Sequence, residues 1–193
     1  MATMTAEQVR ARDAVESALT ELELSWHRSD DGLFEVTLPG TRKLQTACAL
    51  EVGRHSLEVR AFVARHPDEN EQAVHRWLLE RNLRLSQVAF AVDHHGDIHL
   101  CGKIPLAAVT AAVIDTTLGI VAETADASFN TILELGFASS IRAEWQWRLS
   151  RGESTRNLAA FEHLRPGAVE AADSNPPDRS TDGGGPVPEP PAR

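Results

Sequence analysis

The sequence predicts an α+β fold in which an antiparallel meander sheet is flanked by helices, in the order α-βββ-α-ββ-α. Three observations lead to this prediction. Apolar residues recur at helical spacing near the N-terminus, then alternate with polar residues in several short runs, and return to helical spacing toward the C-terminus. Short turn sequences separate the alternating runs, which favours antiparallel strands over βαβ units. Helices placed before, between and after such strands are typical of α+β proteins.

The first predicted helix covers residues 5–22. Thr5 and Gln8 have the spacing of a capping box, in which each side chain accepts a hydrogen bond from the free backbone N–H of the other residue. Apolar side chains at helical spacing then form one stripe that should face the core. The stripe consists of Val15, Ala18, Leu19 and Leu22.

Three strands are predicted after this helix. The turn sequence at 30–32 precedes an alternating run at 34–38, which Pro39-Gly40 ends. A second alternating run covers 44–52 and a third covers 57–64, with a break of only a few residues between them. Breaks this short predict neighbouring antiparallel strands.

A second helix and a second pair of strands follow. The helix is predicted over 68–82, with Asp68 as its N-cap and Asn82 as its stop. A strand at 88–92 and a return strand that begins at Ile98 are joined by a polar hairpin turn.

The remaining apolar pattern predicts three helices and a helical extension. Pro105 suits a first helical turn, so one helix is predicted over 105–118. Two more are predicted over 126–135 and 139–149, with Gly136 ending the first of them. The extension is predicted over 151–164.

One folded domain, residues 1–164, is predicted to precede a disordered tail, residues 165–193. From residue 166 onward the chain holds seven of the ten prolines, the run Gly183-Gly184-Gly185, and five acidic against two basic side chains, a net charge of −3. Such a segment has too few large apolar residues to bury enough surface to offset its ordering entropy.

Composition and charge restrict the class of protein. The chain has 193 residues, 42% of them hydrophobic and 24% charged, as in ordinary globular proteins. The 19 basic and 28 acidic side chains give a net charge of −9, which argues against binding to nucleic acid or to an anionic membrane surface. No apolar run is long enough to span a bilayer, the first residues do not resemble a signal peptide, and there are only two cysteines. The expected location is the cytoplasm.

Short motifs, taken in their order along the chain, resemble those of the YbjN family of bacterial proteins. The motifs are Leu38-Pro39-Gly40, Leu79-Glu80-Arg81-Asn82, Asp93-His94-His95-Gly96-Asp97-Ile98, Ile104-Pro105-Leu106, Asp115 and Gly136-Phe137. The resemblance covers residues 6–145. It implies the fold of type III secretion chaperones, which are commonly dimeric, and a role in sensory transduction or stress regulation. It implies no catalytic residues.

The alternation also separates the two faces of the predicted sheet. One face should carry the large apolar side chains of the core. If the strands are neighbours, the other face carries a shallow apolar strip, consisting of Ala47, Ala49, Phe62, Ala64, Ala89 and Ala91. Such a strip has three interpretations: the chain's own C-terminal helices cover it, a second copy covers it, or a client protein binds it. Trp145 on the last helix is a further candidate for this contact surface.

The hairpin around residues 93–101 carries the residues that suggest chemistry. His94, His95, His99 and Cys101 are of the types that bind zinc, but they lack the paired spacing of known zinc sites. Asp93 or Asp97 with His95 would supply an acid–base pair, which also needs a pocket. No Gly-rich phosphate loop or G-x-S-x-G motif is present.

The sequence therefore predicts a non-catalytic, cofactor-free regulatory domain that binds an unidentified protein partner and forms a homodimer. Two alternatives remain at this stage. One is a metal-binding or hydrolytic module at the 93–101 hairpin, and the other is a structural subunit whose only partner is itself.

Overall fold

The computed structural model describes residues 4–167 and confirms the α+β fold. Six strands form one antiparallel sheet in the spatial order β1-β2-β3-β4-β6-β5. The strands are β1 (Ser25–Arg28), β2 (Phe34–Pro39), β3 (Gln45–Val52), β4 (Ser56–Ala64), β5 (Val88–Val92) and β6 (Ile98–Pro105). The helices are α1 (Ala6–Glu21), α2 (Glu71–Asn82) and α3 (Ala111–Arg151), with 3₁₀ segments at Leu106–Ala108 and Arg156–Leu164. The predicted tail lies outside the described residues from residue 168 onward.

The core lies between one face of the sheet and the helices. The predicted capping box is present, with Gln8 N–H bonded to Thr5 Oγ1 at 3.3 Å and Thr5 N–H bonded to Gln8 Oε1 at 2.8 Å. Most of the predicted core face is buried, but Val92, at the end of β5, is 41% exposed. Within the described residues, no helix has both the length and the apolar character needed to cross a bilayer.

Strand β1 is absent from the sequence prediction. It pairs with β2 in the register Ser25↔Thr37 to Arg28↔Phe34. Three of its four residues are exposed, so it shows no apolar alternation. Only Trp26 is half-buried, with its ring centroid 5.9 Å from that of Phe34.

The predicted N-cap of α2 is wrong. The helix begins at Glu71 and its N-cap is Asn70, which has a left-handed φ of 52°. The carboxylate of Asp68 instead accepts hydrogen bonds from Arg65, at 2.6 and 2.7 Å, and from Ser140 Oγ at 3.0 Å. A carboxylate held by these two partners is not available to cap α2.

The three helices predicted after β6 are one helix, α3, with a kink. Pro105 ends β6 and does not start a helix, because the N-cap is Thr110, whose Oγ1 accepts a hydrogen bond from Val113 N–H at 3.3 Å. The helix does not end at Gly136, as the sequence predicted, but continues to Arg151. Only Phe137 leaves helical geometry, with φ −144° and ψ 20°.

The kink is caused by hydrogen bonds from the segment that precedes α2. The carbonyl oxygen of Gly136 accepts hydrogen bonds from the backbone N–H groups of Asp68 and Glu69, at 2.9 and 3.1 Å. These donors take the carbonyl away from the helical hydrogen-bond ladder. The Glu69 carboxylate then accepts from Ser139 N–H at 2.6 Å and so caps the second half of α3. The hydrogen bonds from the backbone and side chain of Ser139 lower the pKa of the Glu69 carboxyl group.

The second half of α3 extends beyond the sheet and has a small core of its own. The helix ends at Arg151, and Gly152 turns the chain back with a positive φ of 67°. The predicted helical extension is therefore a separate 3₁₀ segment that packs against α3. Its apolar side chains form one cluster with those of the helix: Ile141, Trp145, Leu158 and Phe161.

The two edges of the sheet differ. At the β5 edge, Asn82 imitates a neighbouring strand, because its Oδ1 accepts from Phe90 N–H at 2.8 Å and its Nδ2 donates to Phe90 C=O at 3.2 Å. Val88 N–H on the same edge donates to Ser86 C=O at 2.8 Å. At the β1 edge, among the described residues, no side chain hydrogen-bonds to the backbone of Ser25–Arg28.

Replacing Asn82 with alanine tests the importance of this edge contact. We expect Asn82→Ala to lower the free energy of unfolding by about 1–3 kcal/mol, because two backbone groups of Phe90 lose their partner. Urea denaturation measures the change. Leu83→Ala, at the next and 87% exposed position, is the control and should change stability little. Equal effects of the two substitutions would contradict the proposed contact.

Candidate functional site

The sheet face opposite the core is uncovered across its middle, and we call it the open face. Strand pairing places Glu35, Ala49, Arg60, Cys101 and Ala89 in one row that crosses five strands. All of these side chains are exposed or half-buried. The helices pack on the other side of the sheet, so this row is open to a partner.

A second row runs beside the first. It joins Phe62 of β4 to His99 of β6 and Ala91 of β5. Toward the β1 edge, on the same face, Thr37 of β2 pairs with Ala47 of β3. The ring of Phe62 stands edge-on to His99, with 5.6 Å between the centroids. The two rows together form the middle of the open face.

The structure brings five of the six residues of the predicted apolar strip onto this face, but it does not make the strip continuous. Ala47, Ala49 and Phe62 lie on the neighbouring strands β3 and β4, whereas Ala89 and Ala91 lie on the edge strand β5. Strand β6 separates the two groups and places His99 and Cys101 between them. The sequence could not show this interruption, because strand order is not visible in alternation.

Two predicted contact residues are not on the surface. Ala64 is 5% exposed, because the register shifts between Phe62 and Ala64 and turns the alanine toward the core. Trp145 is 2% exposed, and its indole Nε1 donates to Phe161 C=O at 3.1 Å. Both residues stabilise the fold and neither can contact a partner directly. The neighbouring Trp147 is the exposed tryptophan of the pair, at 44%.

The open face contains two shallow hollows that meet at its centre. One has a volume of about 750 Å³ and the other about 500 Å³. Ala49 and Arg60 line both of them. Small alanine side chains in the floor allow another backbone or side chain to approach the sheet closely.

The charges on the open face are mostly paired. Lys103 Nζ lies 2.8 Å from Glu58 Oε1, and His27 Nε2 lies 3.1 Å from Glu35 Oε2. Arg60, at the centre, forms no ion pair with any described residue. An exposed guanidinium between two hollows is suited to receive a carboxylate from a partner.

The single thiol on the open face is not activated. Burial raises the pKa of Cys101, and the nearby positive charge of Arg60 offsets this only in part. The thiol is therefore protonated at neutral pH, whereas nucleophiles and metal ligands are thiolates.

The carboxylates of the 93–97 turn hold the turn together. Asp93 Oδ1 accepts hydrogen bonds from His95 N–H at 2.9 Å and Asp97 N–H at 3.0 Å. Burial opposes ionisation of Asp93, but these bonds outweigh it and lower the pKa of the carboxyl group. Asp97 Oδ1 accepts from His66 N–H at 2.8 Å. Both acids therefore have structural partners.

The four residues considered for zinc do not converge. The rings of His94 and His95 stack on each other with centroids 3.7 Å apart, while His99 Nε2 lies 3.2 Å from Asp93 Oδ2. Cys101 lies in the row with Arg60. In residues 4–167, no group of three or more His, Cys, Asp or Glu side chains is arranged to hold a metal ion.

A second concave surface, which the sequence analysis missed, lies where β4 meets the second half of α3. We call it the Phe groove, because its main aromatic residues are Phe62, Phe129 and Phe137. It has a volume of about 440 Å³ and a mostly apolar lining. The sequence shows Phe129 and Phe137 only as apolar residues, and their approach to Phe62 depends on the path of the kinked helix α3.

Two cations lie over the rings of the Phe groove. Lys43 Nζ is 5.4 Å from the centroid of Phe62 and 5.2 Å from that of Phe129. The guanidinium of Arg65 is 4.6 Å from the centroid of Phe137. Burial lowers the pKa of Lys43.

The position of Lys43 is fixed by a carboxylate on α3. Asp126 accepts hydrogen bonds from the backbone N–H groups of Thr41, Arg42 and Lys43, at 2.7, 2.7 and 3.0 Å, and from Thr41 Oγ1 at 2.8 Å. Gly40 permits this approach, because a Cβ there would lie 2.7 Å from Asp126 Oδ1. Asp126 therefore fastens the loop between β2 and β3 to α3.

Comparisons with known proteins give one family and several close relatives. The family model YbjN, described as "Putative bacterial sensory transduction regulator", matches residues 11–134, which include all six strands. Uncharacterized protein Rv0487 of Mycobacterium tuberculosis is 49% identical over 174 residues, which cover 88% of this chain and 95% of that protein. Uncharacterized protein ML2442 of Mycobacterium leprae is 49% identical over 159 residues, which cover 80% of this chain and 86% of that protein.

Three solved structures resemble the chain more distantly. The ExsC-ExsE complex gives a TM-score of 0.49 at 20% identity and covers 67% of this chain and 97% of the matched chain. The HopA1-SchA chaperone-effector complex gives 0.49 at 15% identity, with 64% and 95% covered. The Yersinia pestis type III secretion chaperone SycH, in complex with a fragment of YscM2, gives 0.45 at 17% identity, with 60% and 96% covered. The α+β fold itself is established by the strands and helices described above.

Proposed function

Because this chain belongs to the YbjN family, we propose that it is a non-catalytic regulatory domain that binds another polypeptide on the open face of its sheet. The observation that carries this proposal is the unpaired Arg60 at the centre of an uncovered face, between two hollows. The cytoplasm is the proposed location, which the two free cysteines support.

The chemistry of the open face supports binding. Its alanines offer small apolar patches on which an extended or helical segment can pack, and Arg60 offers a bidentate contact for one acidic side chain. The neighbouring ion pair between Glu58 and Lys103 leaves that carboxylate less available to a partner's cations. The proposed partner therefore carries apolar side chains around a central Asp or Glu.

Chemistry at the hairpin has less support. The carboxylates of Asp93 and Asp97 accept hydrogen bonds that hold the turn. The thiol of Cys101 has a raised pKa. Binding of a partner requires no change in these hydrogen bonds. Acid–base or metal chemistry would require Asp93 and Asp97 to break them and Cys101 to lose its proton.

A homodimer is the second candidate, and the charge arrangement of the open face favours it. Glu35 on β2 and Arg60 on β4 are both register partners of Ala49 on β3, so they flank it on opposite sides. If a two-fold axis ran along β3 at Ala49, face-to-face packing would place each Arg60 against the Glu35 of the other copy. Such an interface is self-complementary, as a two-fold dimer requires.

Charge exchange tests the homodimer. We expect Arg60→Glu to raise the dimer dissociation constant at least tenfold and Glu35→Arg/Arg60→Glu to restore it, measured by sedimentation velocity over a range of concentrations. Ala112→Arg, an exposed alanine on α3, is the control and should not change association. A wild-type chain that stays monomeric at high micromolar concentration would eliminate the homodimer and leave the proposal of a different partner.

Photo-crosslinking tests that different partner. A photoreactive amino acid at Ala47 should capture a polypeptide in cells, and the same group at Ala112 should not. The purified partner should then bind at least tenfold more weakly to Ala49→Arg, because the new side chain projects from the shared floor of the two hollows and blocks close approach to the sheet, and equally well to Ala112→Arg. Equal binding by both variants would refute a role for the open face.

A further inference from the structure

The Phe groove shares only Phe62 with the hollows of the open face, and the proposed function leaves it without a ligand. We infer that it binds a segment of this chain's own tail, residues 186–191, with the sequence Pro-Val-Pro-Glu-Pro-Pro. This segment lies outside the described residues, and three features support the contact: the lining of the groove, its charge, and the distance that the chain can span.

The lining of the groove is suited to proline. Phe62 and Phe129 supply aromatic surface in a mostly apolar cleft, and the largely buried Phe137 forms part of its floor. Proline-rich segments favour the extended polyproline II helix, which loses little entropy on docking into aromatic-lined grooves. Four of the six residues of the segment are proline and one is valine, so it offers mainly apolar surface.

The charge of the groove matches the one acidic residue of the segment. Among the described residues that line the groove, Arg65 is paired with Asp68 at 2.6 Å and Glu144 with Arg148 at 2.6 Å. Lys43 forms no ion pair with any described residue, although it is partly buried over two aromatic rings. Glu189 would supply the missing carboxylate in the middle of the proline segment.

The end of the described chain lies close to the groove. The Arg165 guanidinium is 5.6 Å from the ring centroid of Trp145, and Trp145 packs in one cluster with Ile141, which lines the groove. Residues 168–185 connect the described chain to the proline segment, and a Gly/Ser-type chain of that length has a typical end-to-end distance of about 25 Å. Tethering at that distance gives an effective concentration of about 1 mM, so even a weak contact is populated.

Paramagnetic relaxation in the full-length chain tests the inference. A nitroxide label at Ala192→Cys, with Cys101→Ser to remove the accessible thiol, leaves Glu189 intact. We expect it to abolish the amide signals of residues in the groove, around Phe62, Phe129 and Phe137. Signals of α1 and β1 should keep their intensity. Uniform intensity along the whole domain would overturn the inference.

Charge variants of the same labelled chain identify the contact. Lys43→Glu should restore the groove signals, and Lys43→Glu with Glu189→Lys should abolish them again. Lys103→Glu, a matched charge reversal on the open face, should leave the groove signals absent. Groove signals that stay absent in Lys43→Glu would overturn the inference. Loss of signal that occurs between separately labelled chains, and falls on dilution, would also overturn it and assign the groove to a second copy.

Discussion

Replacing Trp145 with alanine should release the C-terminal 3₁₀ segment from α3 and lower the free energy of unfolding by about 3–5 kcal/mol. The indole is almost fully buried and fills the centre of the small core that it shares with Ile141, Leu158 and Phe161. Its removal also leaves the Phe161 carbonyl without the hydrogen bond from Nε1.

Chemical denaturation and limited proteolysis measure this effect. We expect Trp145→Ala to shift the denaturation midpoint and to become sensitive to cleavage after Gly152. Trp147→Ala, which removes an exposed indole two residues away, should change stability by less than about 0.5 kcal/mol. If the Trp145→Ala chain resisted protease as well as the Trp147→Ala chain, the small core would not be what holds the segment.

Replacing Asp126 with alanine should cost about 2–3 kcal/mol, because hydrogen bonds to a charged acceptor are among the stronger ones in proteins. Three backbone N–H groups and the hydroxyl of Thr41 lose their acceptor together. The loop between β2 and β3 then separates from α3, and Lys43 leaves the Phe groove. Asp115→Ala, at an exposed position on the same helix, is the matched control and should have little effect.

The same carboxylate makes stability depend on pH. Burial raises the pKa of Asp126, but the hydrogen bonds from Thr41, Lys43 and Arg42 outweigh this and lower the pKa in the folded chain. Its contribution to stability is therefore complete above the unfolded pKa of about 3.9 and is lost as the pH falls through the lower folded value. Urea denaturation between pH 6 and pH 2.5 should show this loss in the wild-type chain and a smaller one in Asp126→Ala. Equal pH profiles would contradict the assignment.

Local patterns in the sequence predicted most of the fold. The capping box of α1 and five of the six strands were predictable because each depends on neighbours in the chain. The kink at Phe137 was not predictable, since it depends on hydrogen bonds that the distant Asp68 and Glu69 donate to Gly136. Long-range contacts also explain why Asp68 does not cap α2, because its carboxylate is held by Arg65 and by Ser140 of α3.

The candidate site was predictable only in part. Alternation placed Ala47, Ala49, Phe62, Ala89 and Ala91 on one face correctly. It failed for Ala64, because a register shift in β4 cannot be seen in residue types. The position of Arg60 at the centre of the open face depends on strand order, and the Phe groove depends on the path of α3, and both are properties of the folded chain.

The unequal edges of the sheet limit how copies of this protein can assemble. Asn82 and Ser86 bind outward backbone groups of Phe90 and Val88 on β5, so within residues 4–167 the β1 edge is the more open of the two to another strand. Two molecules that joined through their β1 edges would use up the free edge of both, and a third could not be added. Strand-to-strand association of this fold is therefore expected to give a closed pair and not a fibril.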